Sequence, residues 1–326
     1  MRQQLIPLES RAHWEETLQD ISYDFAHSWH SCYAMHLTTG LDTYLYCFQD
    51  EDVKIVCPIS ERTFEGYVDI VTPYGFSGFI GNKAFPEFQR YWKDFAKGRG
   101  YICGFISINP VISNQTYLEN SDVYSYNSLY ILDLRLSIED LFSNLDRNRR
   151  RQLKNWEQIA PQFITDKSIL IDFFLENYHA FFQQKNASSG YLFSLETLSY
   201  IVNLDNVLLV GFGDSKIEAV SVFAYTPHGA QALFHISLPE GRNHTMPLLW
   251  YAIQYLKSVN IPFLNMGGGL QDGDSIADFK QRCGAQKMPL SCLKQVYNAD
   301  IYSILCKSVN ADPNNKVGYF PPYHFI

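Results

Sequence analysis

The chain has 326 residues, of which 46% are hydrophobic and 15% aromatic, and its formal net charge is −8. This length and composition are typical of a folded protein with two domains of ordinary size. The acidic balance argues against a dominant nucleic-acid-binding surface, which is usually a basic domain, but it does not exclude a local basic patch.

The cysteines and the N-terminus indicate the compartment. The seven cysteines include no C-x-x-C pair, which predicts free thiols in a reducing environment. The first ten residues, MRQQLIPLES, contain no apolar signal core, and no run of apolar residues reaches the length of about 18 that a membrane span needs. We therefore expect a soluble, cytoplasmic protein without membrane insertion.

The first half of the chain begins its regular pattern with a β-hairpin. Strands over 43–49 and 53–62, rich in β-branched and aromatic residues, enclose a polar turn. A loop follows, and then come a helix over 85–100 and a strand over 101–108.

A helical segment over 137–158 marks the middle of the chain. Ser137 and Asp140 predict its N-terminal cap, and leucines supply its apolar spacing. We place the boundary between two domains, 1–136 and 137–326, at its start. A second helix is predicted over 168–184.

The second half repeats the order of the first. Strands over 206–213 and 217–226 enclose a polar turn, and a helix over 247–260 and a strand over 261–266 follow. The offset between the two sets is close to half the chain length, which favours a tandem repeat. The Pro-rich, aromatic tail, 311–326, is expected to be extended and packed on the surface.

Four segments give this order of elements a family resemblance. They are VDIVTPYGFSG (68–78), PEGRNHTMPLLWYAI (239–253), FLNMGGG (263–269) and DFKQRCGA (278–285). Together they resemble the FemABX-type branch of the GNAT acyltransferases, including the FemAB-like proteins. The resemblance implies an α/β (α+β) fold of two tandem GNAT-like domains, each a mixed, mostly antiparallel sheet flanked by helices. Residues 1–136 would be the acceptor side and 137–326 the donor side.

The activity that the resemblance implies is transfer of an acyl or aminoacyl group to an amine. The acceptor would be a cell-envelope precursor or an amino sugar nucleotide. The co-substrate would be acyl-CoA or aminoacyl-tRNA, with tRNA as the donor carrier in the second case, and no cofactor would be tightly bound. The alternatives are a CoA-dependent N-acetyltransferase of a small amine and a non-catalytic binding protein with the same fold.

The segment after Arg242 departs from the GNAT donor loop. That loop has the form R/Q-x-x-G-x-G/A, and its glycines let backbone N–H groups approach a pyrophosphate. Here Arg242 and Asn243 remain as candidate donor contacts, but Thr245 and Pro247 occupy the two glycine positions. The helix start could still attract an anion, but we expect CoA to bind weakly or not at all.

Lys280 is the main catalytic candidate. Aminolysis of an ester or thioester needs a positive partner for the tetrahedral oxyanion, and the resemblance places the family's lysine here, after Phe279. The alternative is a solvated lysine on an amphipathic helix. Gly267 and Gly268 would permit close backbone approach to a ligand, or would form only a flexible turn, and Asp272 and Asp274 are expected to cap the helix.

In the first half, Asp69 could orient or deprotonate the acceptor amine, or simply cap a turn. Tyr74, followed by Gly75, could stack on or hydrogen-bond to a sugar or peptide.

The remaining candidates are basic residues and histidines. Arg150 and Lys154, with neighbouring arginines, would share one side of the 137–158 helix and contact a nucleotide diphosphate or RNA backbone, or form a solvated face. His235 is a candidate donor-side base or a hydrogen-bonded core histidine. His27, His30 and Cys32 lack a second ligand pair at a standard spacing, so we expect no metal site.

Overall fold

The structure is a computed structural model that describes residues 1–185, 189–213 and 216–325. The strands are β1 (Arg2–Pro7), β2 (Thr43–Asp50), β3 (Val53–Phe64), β4 (Tyr67–Val71), β5 (Ile80–Gly81), β6 (Cys103–Ser107), β7 (Val123–Asp133), β8 (Val207–Phe212), β9 (Ala219–Thr226), β10 (Gly229–Ser237), β11 (Phe263–Gly268) and β12 (Gln286–Val296). The helices are α1 (Arg11–Leu18), α2 (Trp29–Thr39), α3 (Phe88–Gly98), α4 (Ile138–Ser143), α5 (Arg147–Gln152), α6 (Trp156–Ile159), α7 (Lys167–Gln184), α8 (Leu195–Asn203), α9 (Thr245–Ser258), α10 (Ser275–Arg282) and α11 (Ala299–Ser308).

The chain forms two compact units. Unit 1 comprises Met1–Tyr126 and Pro289–Ile326, and unit 2 comprises Asn127–Met288. The units therefore divide the chain at positions other than the predicted boundary between 136 and 137. In particular, the C-terminal segment groups with the first half of the chain.

The sheet of unit 1 has the strand order β1-β2-β3-β4-β6-β12, and β5 pairs with β3. All of these pairs are antiparallel except β4 and β6, which are parallel. A parallel pair needs a crossover connection, and α3 lies within it. The crossover helix packs through Phe88 and Trp92 into a core that also contains Tyr46 and Leu293.

The sheet of unit 2 repeats this plan in the order β7-β11-β10-β9-β8. The hairpin partners β8 and β9 and the next pair, β9 and β10, are antiparallel, whereas β10 and β11 are parallel with α9 in their crossover. The predicted tandem repeat is thus confirmed in strand order and direction. Of the predicted turn between β8 and β9, Asp214 and Ser215 lie outside the described residues.

One strand in each sheet comes from a distant part of the sequence. Beside β6 in unit 1 lies β12, from near the end of the chain, whereas beside β11 in unit 2 lies β7, from the middle. Both neighbours are antiparallel to the strand they join. Unit 1 is therefore completed only by residues from 289 onward.

The prediction of one long helix over 137–158 is wrong, because the segment forms α4, α5 and α6. The predicted cap is confirmed, since the Ser137 side chain accepts a hydrogen bond from the backbone N–H of Asp140. Asp146 then caps α5 in the same way through the N–H of Arg149. The residue that caps a new helix has an extended, non-helical backbone, so the preceding helix ends before it.

The tail is more deeply packed than expected. Phe320 and Tyr323 are buried in a cluster of unit 1 that also contains Tyr302 of α11. A short 3-10 helix covers Pro322–His324. None of the helices in the described ranges is long and apolar enough to cross a membrane.

The unit boundaries predict how fragments behave. A fragment of residues 1–136 lacks β12, so it loses the core residue Leu293 and leaves the edge of β6 unpaired. We expect it to remain unfolded or to aggregate. The Oγ atoms of Ser125 and Ser291 are 2.6 Å apart, so a short Gly-Ser linker can join residues 1–126 to 289–326.

That linked chain is expected to show a cooperative thermal transition by circular dichroism, with fragment 1–136 measured beside it as the control. A cooperative transition in fragment 1–136 alone would contradict the assignment of β12 to unit 1.

Candidate functional site

The strands β10 and β11 of unit 2 are paired over only a short length. Ala230 lies opposite Leu264, and Gln231 lies opposite Asn265. Beyond these residues β10 continues to Ser237 and β11 to Gly268, but the described parts of the two strands pair no further. Past this point the described backbone groups of the two strands are therefore not paired with each other.

Two bulges explain why the strands part. In β10 the register against β9 shifts between Ala232 and Phe234, and in β11 the register against β7 shifts between Asn265 and Gly268. A bulge bends its strand and increases the local twist. Because both bulges follow directly after the last shared pair, each strand turns away from the other there.

Gly267 makes the bulge in β11 possible. Its φ is +74°, a left-handed conformation in which other residues are strained. The Asn265 side chain supports it by accepting a hydrogen bond from the Gly267 N–H at 2.8 Å. The glycine turn is therefore a fixed bulge and not only a flexible connection.

The side chain of Lys280 reaches this bulge from α10. Its Nζ donates to the Gly268 carbonyl oxygen at 2.6 Å, and a Cβ on Gly267 would lie 3.5 Å from it. Lys280 is half-buried, which lowers the pKa of its ammonium group to about 8, although the Asp274 charge acts in the opposite direction. The structure thus brings Lys280, Gly267 and Gly268 together, and Lys280 is not a solvated surface lysine.

Asp274 fixes the start of α10, as predicted. Its carboxylate accepts from the backbone N–H groups of Leu270, Gln271 and Ala277. A Cβ on Gly269 would come within 2.6 Å of this carboxylate, so the third glycine allows the close approach. The prediction for Asp272 is wrong, because Asp272 pairs with Lys287 and Ser128 and does not cap the helix.

Phe279 contacts an arginine that the site prediction did not include. The guanidinium of Arg149 lies 4.6 Å from the centre of the Phe279 ring, a cation–π distance. Arg150 and Lys154, the predicted contacts, are both exposed, and Lys154 lies beyond the end of α5. The helical spacing that grouped them assumed one continuous helix, but α5 ends at Gln152, between the two residues.

His235 is hydrogen-bonded at both ring nitrogens. Nδ1 lies 2.8 Å from Ser221 Oγ, and Nε2 lies 3.2 Å from Thr245 Oγ1. Since Thr245 donates its single hydroxyl hydrogen to the Arg242 carbonyl, we assign the hydrogen of the imidazole to Nε2 and the acceptor role to Nδ1. Burial lowers the pKa of His235 to about 4. This geometry agrees with the second interpretation of His235, a hydrogen-bonded core histidine, and not with a donor-side base.

The segment in the place of a donor loop is helical. Glu240–His244 forms a 3-10 helix that runs directly into α9. Gly241 is buried against β9, and a Cβ there would lie 2.3 Å from the Glu218 carbonyl oxygen. Arg242 and Asn243 are exposed on this turn.

In unit 1, Asp69 is an internal hydrogen-bond acceptor. Its side chain is 1% exposed, Arg62 donates to Oδ1 at 2.7 Å, and His324 Nε2 lies 2.7 Å from Oδ2. Both carboxylate oxygens are thus engaged, and the contacts join β3, β4 and the C-terminal tail. Asp69 lies within β4 and does not cap a turn.

Tyr74 and Gly75 lie in the loop after β4. Tyr74 is 47% exposed. Gly75 has a φ of +127°, and a Cβ there would lie 2.9 Å from the Cβ of Ala26. The loop therefore requires glycine at this position and presents the preceding tyrosine to solvent.

The residues that the structure describes contain no group of three or more His, Cys, Asp or Glu side chains that could hold a metal ion. All seven cysteines are free and buried. Within unit 1, burial raises the pKa of the Cys32 thiol and lowers the pKa of His27 to about 4.

No protein-family model matches the chain, and no curated protein matches it.

Comparison by structure finds many similar solved structures. FemX superposes with a TM-score of 0.69 at 10% identity, covering 93% of this chain and 99% of FemX. A conserved protein of unknown function from Bacteroides thetaiotaomicron has a TM-score of 0.59 at 11% identity, covering 91% and 99%. The C-terminal domain of a putative lysylphosphatidylglycerol synthetase from Agrobacterium fabrum has a TM-score of 0.56 at 15% identity, covering 95% and 100%. The FemAB-like resemblance that the sequence shows is therefore confirmed as a fold shared with FemX.

Proposed function

We propose that the protein is an acyl- or aminoacyltransferase that forms an amide on an amino group of a cell-envelope precursor or amino sugar nucleotide. The observation that carries the proposal is the position of Lys280, whose half-buried ammonium group lies at the Gly267 bulge where β10 and β11 part. The fold shared with FemX and with a putative lysylphosphatidylglycerol synthetase supports it.

The reaction needs no group beyond those in the site and the two substrates. The neutral acceptor amine attacks the donor carbonyl, a C–N bond forms, and the carbonyl oxygen gains negative charge. When the tetrahedral intermediate collapses, the C–O bond of an ester or the C–S bond of a thioester breaks. The leaving group then carries away the electron pair and receives the proton that the amine loses.

Lys280 would stabilise the oxyanion. An ammonium group has three N–H donors, of which the Gly268 carbonyl takes one. The other two can face the intermediate. With a pKa of about 8, most Lys280 side chains carry their charge at neutral pH. Its partial burial strengthens the attraction, because the local dielectric is lower than that of water.

The supports of Lys280 hold it at this point. Asp274 fixes the first turn of α10, and Phe279 packs under the guanidinium of Arg149. Asn265 holds the backbone of Gly267. Such supporting contacts fix the geometry that oxyanion stabilisation requires.

The proposed role predicts the behaviour of Lys280 variants. Lys280→Ala should lower turnover by roughly 10²–10³-fold, the usual effect of removing one oxyanion donor. Lys280→Arg should restore part of it, because the guanidinium keeps the charge in a different geometry. Lys287→Ala, which removes another lysine of unit 2 that pairs with Asp272 at the surface, is the matched control and should retain activity.

The measurement is amide formation, followed by mass spectrometry, from aminoacyl-tRNA or acyl-CoA to a panel of amino sugar nucleotides. Full activity of Lys280→Ala would remove Lys280 from the mechanism. Failure of the wild-type protein to transfer from either donor to any acceptor would favour the non-catalytic alternative.

The pKa of Lys280 predicts a pH dependence. Because this pKa is lowered to about 8, the charged form is present below that pH and is lost as the pH rises through it. We expect the rate at saturating substrate to fall above about pH 8 in the wild type and to show no such fall in Lys280→Arg, whose guanidinium stays charged. An unchanged alkaline limb in the arginine variant would assign the titration to another group.

The helical turn before α9 predicts a weak interaction with CoA. Its backbone folds into a 3-10 helix, and the two glycine positions of a pyrophosphate loop are Thr245 and Pro247. We expect acetyl-CoA to bind with a dissociation constant above roughly 100 μM, weaker than about −5.5 kcal/mol. Calorimetry measures this, with a known acetyl-CoA-dependent acetyltransferase titrated in parallel. Low-micromolar affinity would favour the CoA-dependent alternative.

A further inference from the structure

The residue at the point where β10 and β11 part, Gln231, has an amide nitrogen without a hydrogen-bond partner among the described residues. Gln231 is 4% exposed, and its Nε2 atom is buried. A buried N–H donor that lacks an acceptor costs about 1–3 kcal/mol. Such groups are rare in folded proteins, so one at a candidate site needs an explanation.

The register places Gln231 at the closed end of the opening. Gln231 and Asn265 are the last pair that β10 and β11 share, and past them the strands separate. Any group that enters between the strands from their open end reaches Gln231 last. Lys280 lies towards the open end, since its Nζ contacts Gly268, three residues further along β11.

None of the described residues near Gln231 accepts a hydrogen bond from its Nε2 atom. Ala230 and Leu264 pack into the core beneath α9, so the alternation of side chains turns Gln231 and Asn265 to the opposite face. On that face Phe234 of β10 contacts the rings of Phe174 and Tyr178. Asn265 is 2% exposed, and its Oδ1 is occupied by the Gly267 N–H.

We propose that the Gln231 amide donates a hydrogen bond to a second oxygen on the transferred acyl group, distinct from the reacting carbonyl oxygen at Lys280, so that the donor carries a polar acyl or aminoacyl group and not a plain alkanoyl chain. The inference rests on the proposed function, because it assigns the donor's acyl group to the opening beside Lys280. A group lodged between two parted strands lies in the plane of the sheet, where side chains of either face can reach it. A hydroxyl, carbonyl or carboxylate oxygen would satisfy the amide.

The proposal has a consequence for the protein without substrate. If the amide has no partner until a ligand binds, replacing Gln231 with an apolar residue of similar shape removes the free-energy cost of a buried, unpaired N–H donor. The replacement should therefore stabilise the free protein. Gln295 provides a matched control in unit 1. It is 1% exposed, and its amide is fully engaged, donating to Gln89 and Asp122 and accepting from Trp92.

The first measurement is thermal unfolding of Gln231→Met and Gln295→Met without ligand. We expect Gln231→Met to raise the midpoint by about 2–4 °C and Gln295→Met to lower it by at least as much. If Gln231→Met also lowers the midpoint, the amide already has a partner in the free protein, such as a buried water, and the proposal is overturned.

The second measurement is calorimetric binding of matched ligands. Butyryl and 3-hydroxybutyryl groups are each presented on two carriers, as the coenzyme A thioester and as the stable 3′-amide of 3′-amino-3′-deoxyadenosine. On the carrier that the protein accepts, we expect the hydroxylated ligand to bind about tenfold more tightly to the wild type. Gln231→Met should bind the two acyl groups equally.

The outcomes separate this inference from the proposed function. Equal binding of both acyl groups to the wild type overturns the role of Gln231 and leaves the transferase proposal in place. Binding of neither carrier contradicts the proposed donor classes, and the thermal measurement then decides alone whether Gln231 holds an unpaired amide.

Discussion

The left-handed backbone of Gly267 is the constraint on which the candidate site depends. It lets β11 bulge against β7 directly after the last residue pair shared with β10. The bulge directs the Gly268 carbonyl to Lys280, and the same bend helps to open the gap beside it. A side chain at position 267 would strain this backbone and would come within 3.5 Å of the Lys280 Nζ. One backbone angle therefore sets both the opening and the position of its positive charge.

The contacts around the bulge hold each other in place. Asn265 supports Gly267, Asp274 supports the turn before α10, and Gly269 makes room for the Asp274 carboxylate. The Asn265 and Asp274 side chains both accept hydrogen bonds from backbone N–H groups. Lys280, in contrast, carries a positive charge and gives only one of its three N–H donors to the Gly268 carbonyl. Gln231 differs from Asn265 and Asp274, since its buried Nε2 atom has no hydrogen-bond partner among the described residues. This contrast distinguishes residues that hold the backbone of the site in place from residues that can bind a ligand.

The sequence predicted the parts of the fold that depend on local patterns. Alternating β-branched and aromatic residues gave the hairpins, and Ser137 and Asp274 gave helix caps that the structure confirms. It could not predict that Asp146 starts a new helix within 137–158. An aspartate in such a segment is compatible both with a position inside one helix and with the N-cap of another, and the local sequence does not distinguish the two. The sequence also could not assign β12 to unit 1, because strand pairing at that distance depends on the completed sheet.

The same limit applies to the candidate site. Lys280 and the glycines were recognised because they are close in sequence and match a family pattern. Arg149 and Gln231 were missed, since one is a member of a charged run and the other a single glutamine in a strand, and only tertiary contacts give them a role. Asp69 was selected from its local segment, but its partners are Arg62 and the distant His324.

The division of unit 1 between two stretches of chain has a consequence during synthesis. Unit 2 is continuous, so all of its residues have been synthesised before residue 289 is added. Unit 1 must wait for β12, although its first 126 residues were made much earlier. At an elongation rate of about 5–20 residues per second, that interval is roughly ten to thirty seconds. Throughout it, the edge of β6 stays unpaired and its apolar neighbours stay uncovered. The second half of the protein is thus expected to fold first, and the nascent first half is the part that a chaperone would need to shield.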